Sequence, residues 1–357
     1  MKQFIQLIVG AIVLGVLSLG IGYFLNHGKH SNAAQESLYV YNWGEYIDPE
    51  VIKEFEKETG IRVVYETFDS NEAMEAKIRN GGTRYDVAFP SDYTIEKMTK
   101  AHLLNPIDHS KIPNLKYIDQ NYLNQPFDPH NKYSIPYFFG TVGIIYDQTV
   151  YPNINFESWN DLKNPQLKND VIFVDGAREI IGLSLNNLGY SLNDTNTAHL
   201  EKAEQNLKNF SPNIKGVVGD EVSMMLEQHE ANVAVIWSGS AAPIFHNDDR
   251  FNYVVPKEGS NLWFDNMVIP KTSQNIEGAH KFINFLHRPD INKRNTEWVE
   301  YATPNKKARQ MLPEDLRNDE RVYPTKSEQK RLEVYRDLGP AILSEYNERF
   351  LNFKMAL

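Results

Sequence analysis

From Leu38 to Met98 the chain alternates short β-branched or aromatic runs with stretches of helical apolar spacing, joined by only a few residues. Leu38-Tyr39-Val40-Tyr41-Asn42-Trp43 reads as a strand. Asp48 then suits an N-cap, Pro49 the first helical position, and Val51, Ile52 and Phe55 one apolar face that Gly60 ends. Ile61 to Phe68 is a second strand, and Ser70 or Asn71 caps a helix with Met74 and Ile78 inward, closed by Gly81-Gly82. Asp86 to Pro90 is a third strand, from which Ser91 leads into a helix carrying Ile95 and Met98. Such alternation predicts an α/β fold with a mainly parallel sheet covered on both faces. Ligands of such sheets sit beyond the carboxyl ends of the strands, where Trp43, Ser91 and Tyr93 fall.

The stretch from Asn105 to Pro136 is rich in Asn, Pro and Asp and reads as irregular connection. Beyond it, Tyr133 to Tyr137, Gly143 to Tyr146, Val171 to Val174, Asn232 to Trp237 and Trp263 to Ile269 are strand candidates, and Ala279 to Leu286 is a helix. With 357 residues, two domains are the natural division. Residues 140–145 and 256–263 have the stiff, strand-like character of two hinge crossings. The expected lobes are 37–142 plus 264–309 and 143–263 plus 310–357. No internal repeat is visible.

Lys2 precedes an uncharged, mostly apolar run from Phe4 to Leu25 and a polar flank. Residues 1–36 are therefore expected to be a signal peptide or an N-terminal membrane anchor with a short linker, which places the rest outside the membrane. The absence of cysteine excludes disulfides, thiolate metal sites and a lipid-modified Cys. A net charge of -10 argues against nucleic acid and suits a cationic ligand.

No phosphate-binding glycine loop, nucleophile elbow or zinc-protease motif occurs, and the ten histidines lack ligand spacing. No catalytic residue, metal or cofactor is expected. The positive signal is acids placed beside aromatics. Trp263 and Asp265, two apart in a strand, share a face. Trp43, Glu45 and Tyr46 cluster at the end of the first strand, Glu179 opens a helix after Asp175-Gly176, and Trp237 ends a buried strand. An ammonium gains from carboxylates and from ring faces, the latter by ~0.5–2 kcal/mol each. A sugar would also stack on Trp and bond to acids, and each residue taken singly is equally well explained as core or surface.

Six motifs occur in order: Tyr41-Asn42-Trp43-Gly44-Glu45-Tyr46, Pro90-Ser91-Asp92-Tyr93, Ala177-Arg178-Glu179, Ile236-Trp237-Ser238-Gly239-Ser240, Pro256-Lys257-Glu258-Gly259 with Trp263-Phe264-Asp265, and Tyr301-Ala302-Thr303-Pro304-Asn305. Together they resemble the bacterial spermidine/putrescine-binding proteins of ABC polyamine importers, over the chain from about Leu38 onward. Each motif alone is weak; the set is specific. The resemblance implies the two-lobed type II periplasmic-binding-protein fold, with a mixed, mostly parallel sheet in each lobe and the ligand cleft between them. It implies a monomeric, extracytoplasmic, non-enzymatic binder that delivers spermidine or putrescine to membrane-embedded permease subunits. Trp43, Tyr46, Ser91, Tyr93, Trp237, Trp263 and Tyr301 should line the cleft, with Glu179 and Asp265 on ammonium groups and Glu45 close enough to help.

Two positions depart from the family. Gly176 stands where relatives carry a second acid, with Asp175 one residue early, and Tyr335 stands where they carry a glutamine. Both fall on ligand contacts, which leaves the preferred polyamine open. The alternatives are a receptor for another small solute, such as a sugar, and a secreted hydrolase with paired carboxylates.

Overall fold

Strands β5 (Ser134–Asp147) and β10 (Ser260–Pro270) hold the architecture together. In the computed structural model, which describes residues 36–219 and 221–357, they pair antiparallel with Phe139 opposite Phe264, Gly140 opposite Trp263 and Thr141 opposite Leu262. The N-terminal apolar run expected to be a leader or anchor lies outside the described residues. No helix among the described residues is long and apolar enough to cross a membrane.

The remaining strands are β1 (Ser37–Trp43), β2 (Arg62–Phe68), β3 (Val87–Ala88), β4 (Leu104–Asn105), β6 (Val171–Val174), β7 (Ile214–Val218), β8 (Val233–Trp237), β9 (Phe251–Val254) and β11 (Leu332–Glu333). The main path runs β2-β1-β3-β10-β5-β8-β6-β7, with β4 and β11 on β10 and β9 on β5. Up to Thr141, β5 pairs with β10; from Val142 it pairs with β8, and from Ile144 also with β9. One half of the sheet is thus β2, β1, β3 and β10, and the other is β8, β6, β7 and β9. β5 passes from one to the other.

Each half contains a parallel trio, β2-β1-β3 and β8-β6-β7, as the alternating signals predict. The sheet as a whole is mixed, because β5 and β10 run antiparallel to every main-path neighbour they meet. The separate strand candidates at 133–137 and 143–146 are one fourteen-residue strand, buried throughout. Phe138 to Val142 is apolar or small without a break, so nothing in it stops the ladder.

Local chemistry sets the helices on the expected residues. For α1 (Pro49–Thr59), Asp48 accepts the Glu50 amide at 2.8 Å, and Gly60 ends the helix at φ 72°. For α2 (Asn71–Asn80) the cap is Ser70, which accepts the Ala73 amide at 3.2 Å, and Gly81 ends it at φ 70°. Only a residue without Cβ takes that left-handed conformation freely. α3 (Asp92–Lys100) starts at Ser91, whose side chain makes no capping bond. In the second half α4 (Ala177–Asn187) and α5 (Thr197–Leu207) pack with a C-terminal helix, Gly339–Met355. The region 105–136 is irregular as expected, a series of short 3-10 turns.

Where the halves face each other beside the crossing, a charged bridge spans them. Glu96 on α3 accepts from Arg336 Nε at 2.9 Å and Nη2 at 3.0 Å, and Lys100 donates to Asp337 at 2.9 Å. At the crossing itself, an ideal Cβ on Gly140 would lie 2.3 Å from the Trp263 ring and 2.5 Å from Ser238 Oγ. Gly140→Ala should therefore destabilise the fold by ~1–3 kcal/mol, the usual cost of overpacking a filled core. It should also shift the tryptophan emission. Urea titration followed by fluorescence measures both, and an unchanged midpoint would show that the crossing is loosely packed.

Candidate ligand-binding site

Asp265 is the centre of the site. It lies on β10 beside a register shift against β5, and the residue is 8 % exposed. Oδ1 accepts from Ser91 Oγ at 2.6 Å, and Oδ2 accepts from the Tyr46 hydroxyl at 2.7 Å. This explains why Ser91 does not cap its own helix: its hydroxyl is given to the strand opposite. Both donors are themselves held. Asn71 Nδ2 donates to Ser91 Oγ at 3.0 Å and to the Tyr93 hydroxyl at 3.2 Å, while Asn71 Oδ1 accepts the Ser91 amide at 2.9 Å. The Tyr46 carbonyl accepts from the Tyr137 hydroxyl at 2.7 Å.

The aromatic wall is built on missing side chains. Trp263 and Tyr301 meet edge to face at 5.6 Å, and Tyr301 meets Tyr46 at 5.2 Å. Trp263 lies over Gly140, and Tyr301 over Gly239, where an ideal Cβ would be 2.3 Å from its ring. Trp43 is half-buried, packs on Phe68 at 4.5 Å and donates its indole N–H to the Phe89 carbonyl at 2.9 Å.

The second acid, Glu179, comes from the other half, in the first turn of α4. It is partly buried, and the Trp237 and Tyr335 side chains lie near enough to favour its ionised form. Tyr335 approaches Tyr93 edge to face at 6.4 Å, so the two halves touch through these rings. Arg178 lies over the Tyr335 ring at 4.3 Å and donates to the Arg336 carbonyl and to Asn193.

Burial dominates the electrostatics. It pushes Asp265 up to about 6, against the Ser91 and Tyr46 hydrogen bonds. Burial also raises Glu179, against its own amide, the nearby Arg178 charge and the Trp237 and Tyr335 side chains. Two carboxyl groups set among neutral donors, walled by rings and drawn from both halves of the sheet, are suited to a small cation.

Residues 50–324 match the family of bacterial extracellular solute-binding proteins. The chain belongs to that family. Among solute-binding proteins it is 38% identical over 340 residues to the spermidine/putrescine-binding periplasmic protein of Escherichia coli, covering 94% of this chain and 97% of that one. Among solved structures, a Listeria monocytogenes protein assigned to a spermidine/putrescine ABC transporter is 55% identical. It superposes with a TM-score of 0.85 over 90% of this chain and all of that one. A spermidine/putrescine ABC transporter substrate-binding protein from Streptococcus pneumoniae is 48% identical, with a TM-score of 0.83 over 90% of this chain and 99% of that one. The fold of this solute-binding protein is the two-lobed type II arrangement of those structures.

The structure brings together Tyr46, Ser91, Tyr93, Glu179, Trp237, Trp263, Asp265, Tyr301 and Tyr335. Three expected residues behave otherwise. Asp175 is exposed and ion-paired with Lys354 at 2.8 Å, so its charge points to the C-terminal helix. Glu45 is exposed, on a left-handed backbone at φ 49° just past the end of β1. Gly176 is not open space, because an ideal Cβ there would lie 2.1 Å from Glu179 Oε2. The glycine makes room for the neighbouring carboxylate.

Sequence reasoning missed Asn71, Arg178 and Asp92. Asn71 and Arg178 were legible only as a helix cap and a motif neighbour, since their partners are 20 and 158 residues away. Asp92 stands inside the Pro90-to-Tyr93 motif, but its full burial is tertiary.

The raised Asp265 makes a signed prediction. The folded state prefers its neutral form, so its contribution to stability is greatest below about 4 and falls as pH rises through about 6. Asp265→Asn should then stabilise the ligand-free protein by ~1–3 kcal/mol at pH 8, with the gain shrinking towards pH 4. Urea unfolding of both proteins at the two pH values checks this. A mutant less stable than the parent at pH 8 would show that the hydroxyl bonds, and not burial, govern the carboxyl group.

Proposed function

We propose that this protein captures spermidine or putrescine outside the cytoplasmic membrane and hands it to the permease subunits of an ABC importer. It does so as a monomer and without chemical turnover. The observation that supports this most is the placing of Asp265 and Glu179. Asp265 is bonded by two uncharged hydroxyls, Glu179 comes from the first turn of a helix in the other half, and Tyr46, Trp263, Tyr301, Trp237 and Tyr335 lie around them. A diammonium chain satisfies that pattern at both ends, and the rings cover its methylenes. The names of the relatives, at 38% and 55% identity, support the same ligand class.

The two halves of the sheet act in this reading as the expected lobes, 37–142 plus 264–309 and 143–263 plus 310–357. β5 and β10 are the crossings that flex. Asp265, Tyr46, Ser91 and Tyr93 belong to the first lobe, and Glu179, Trp237 and Tyr335 to the second. Ligand charge then draws the lobes together, and the Glu96–Arg336 and Lys100–Asp337 pairs follow.

Removing charge without shape tests the assignment. Asp265→Asn and Glu179→Gln should each weaken polyamine binding by about 1.5–3 kcal/mol in calorimetry. Parental affinity for both spermidine and putrescine in either variant would remove that acid from the site. A neutral sugar binding as tightly as either polyamine would overturn the ligand class, and turnover of any bound solute would overturn the non-enzymatic reading.

Gly176 gives a sharper test of geometry. Because Glu179 fills the space above it, Gly176→Asp forces two carboxyl groups together. Its side chain would displace the Glu179 carboxylate from the Trp237 and Tyr335 side chains. Affinity should fall for spermidine and putrescine alike, by roughly tenfold or about 1.4 kcal/mol. Competition titration reads this, and a selective gain for spermidine would show that the aspartate reaches the ligand instead.

A further inference from the structure

Asp92 is a buried acid to which the ligand reading assigns no role. It is the first residue of α3, between Ser91 and Tyr93, and it is fully buried. Its Oδ1 accepts the Tyr93 amide at 2.7 Å, and its Oδ2 accepts the Phe264 amide at 3.2 Å. The second bond crosses to β10 between Trp263 and Asp265, the two site residues on that strand. Asp92 therefore ties the start of α3 to the strand that presents the central acid.

The charged and titratable groups around it come from each element packed there. β10 supplies the like-charged Asp265, α4 the cation Arg178, and α3 itself Tyr93; Tyr335 lies within electrostatic range from the C-terminal segment. Among the described residues, the hydrogen-bond donors to its two oxygens are both backbone amides. Asp92 follows Ser91, which bonds Asp265, and accepts from the amide preceding Asp265, so two buried carboxyl groups with neutral donors are neighbours here and are costly to ionise together. A cation seated against Asp265 removes that cost. Resting on the polyamine reading above, we propose that Asp92 is a positioning residue that holds a proton in the ligand-free site and releases it to solvent when a diammonium ligand binds.

The balance is simple. The free site carries the Asp92 carboxylic acid; the complex carries its carboxylate, and one proton passes to buffer. The direction of Asp92's titration agrees: burial first, and the Asp265 charge after it, hold this carboxyl well above the usual carboxylate range. Binding must then tighten as pH rises, because proton loss accompanies it.

The experiment is putrescine calorimetry at pH 7 in buffers of different ionisation enthalpy, on the parent and on Asp92→Asn. At that pH an acid titrating near 6, as Asp265 does, is already about nine-tenths ionised, and primary amines are protonated. The parent should release roughly half a proton or more per ligand. Asp92→Asn should release less than half as much, and its affinity should vary less with pH. A parent that releases almost none, or a variant that releases as much as the parent, overturns the proposal.

Should Asp92→Asn not fold, ligand-induced infrared difference spectra of the parent, with only its aspartate carboxyl groups isotopically labelled, decide the point. Loss of a protonated aspartate band on adding putrescine at pH 7 supports the proposal, and no loss overturns it. Absence of any putrescine isotherm with the parent, with spermidine also silent, would instead sink the polyamine reading itself.

Discussion

The antiparallel pairing of β5 with β10 is the constraint on which the rest depends. β5 is shared by both halves of the sheet and β10 pairs with it at their junction, so the halves cannot be placed independently of them. Where they pair most closely, Gly140 lies against Trp263, and the ring occupies the space that a side chain on β5 would need. The same device recurs at Gly239 under Tyr301. Two glycines thus convert backbone into the floor of an aromatic site, one on the crossing strand and one at the start of the helix that follows β8.

Over that floor the protein keeps acids in a setting that resists their charge. Ser91 and Tyr46 donate to Asp265, and Trp237 and Tyr335 lie near Glu179, yet none of these four groups brings a positive charge. Hydrogen bonds lower the cost of a buried carboxylate without removing it. Burial accordingly remains the larger influence on both acids. Elsewhere a comparably buried acid is treated differently: Glu75 is bonded by Arg79 and Lys97 and lies below its ordinary value. Among the described residues no cation is hydrogen-bonded to Asp265, and burial keeps it above its ordinary value where Glu75 lies below its own.

Contacts across the cleft are of two kinds. Tyr93 and Tyr335 meet ring to ring inside the site, whereas Glu96 with Arg336 and Lys100 with Asp337 meet outside it. Tyr93, Glu96 and Lys100 share one face of α3, since residues three and four apart on a helix lie together. Tyr335, Arg336 and Asp337 are consecutive. One helix and one short segment therefore carry both the polar bridge and the aromatic contact.

Much of this was legible in the sequence, for a local reason. Asp48, Pro49, Gly60, Ser70 and Gly81 act within a turn of their own positions, so helix limits follow from neighbouring residues. The acid-and-ring motifs were equally visible, because Trp263 and Asp265 share a strand face whatever the strand packs against. What only the tertiary structure decided is where charges point and what fills space. Asp175 looked like a site acid until Lys354, 179 residues away, took its carboxylate. Gly176 looked like a missing acid until Glu179 folded into the space above it. Asp92 looked like an ordinary helix start until β10 closed over it and buried it beside Asp265. Period and capping are properties of neighbouring residues along the chain. Burial and electrostatic partnership depend on distant segments meeting, and no local pattern records which ones do.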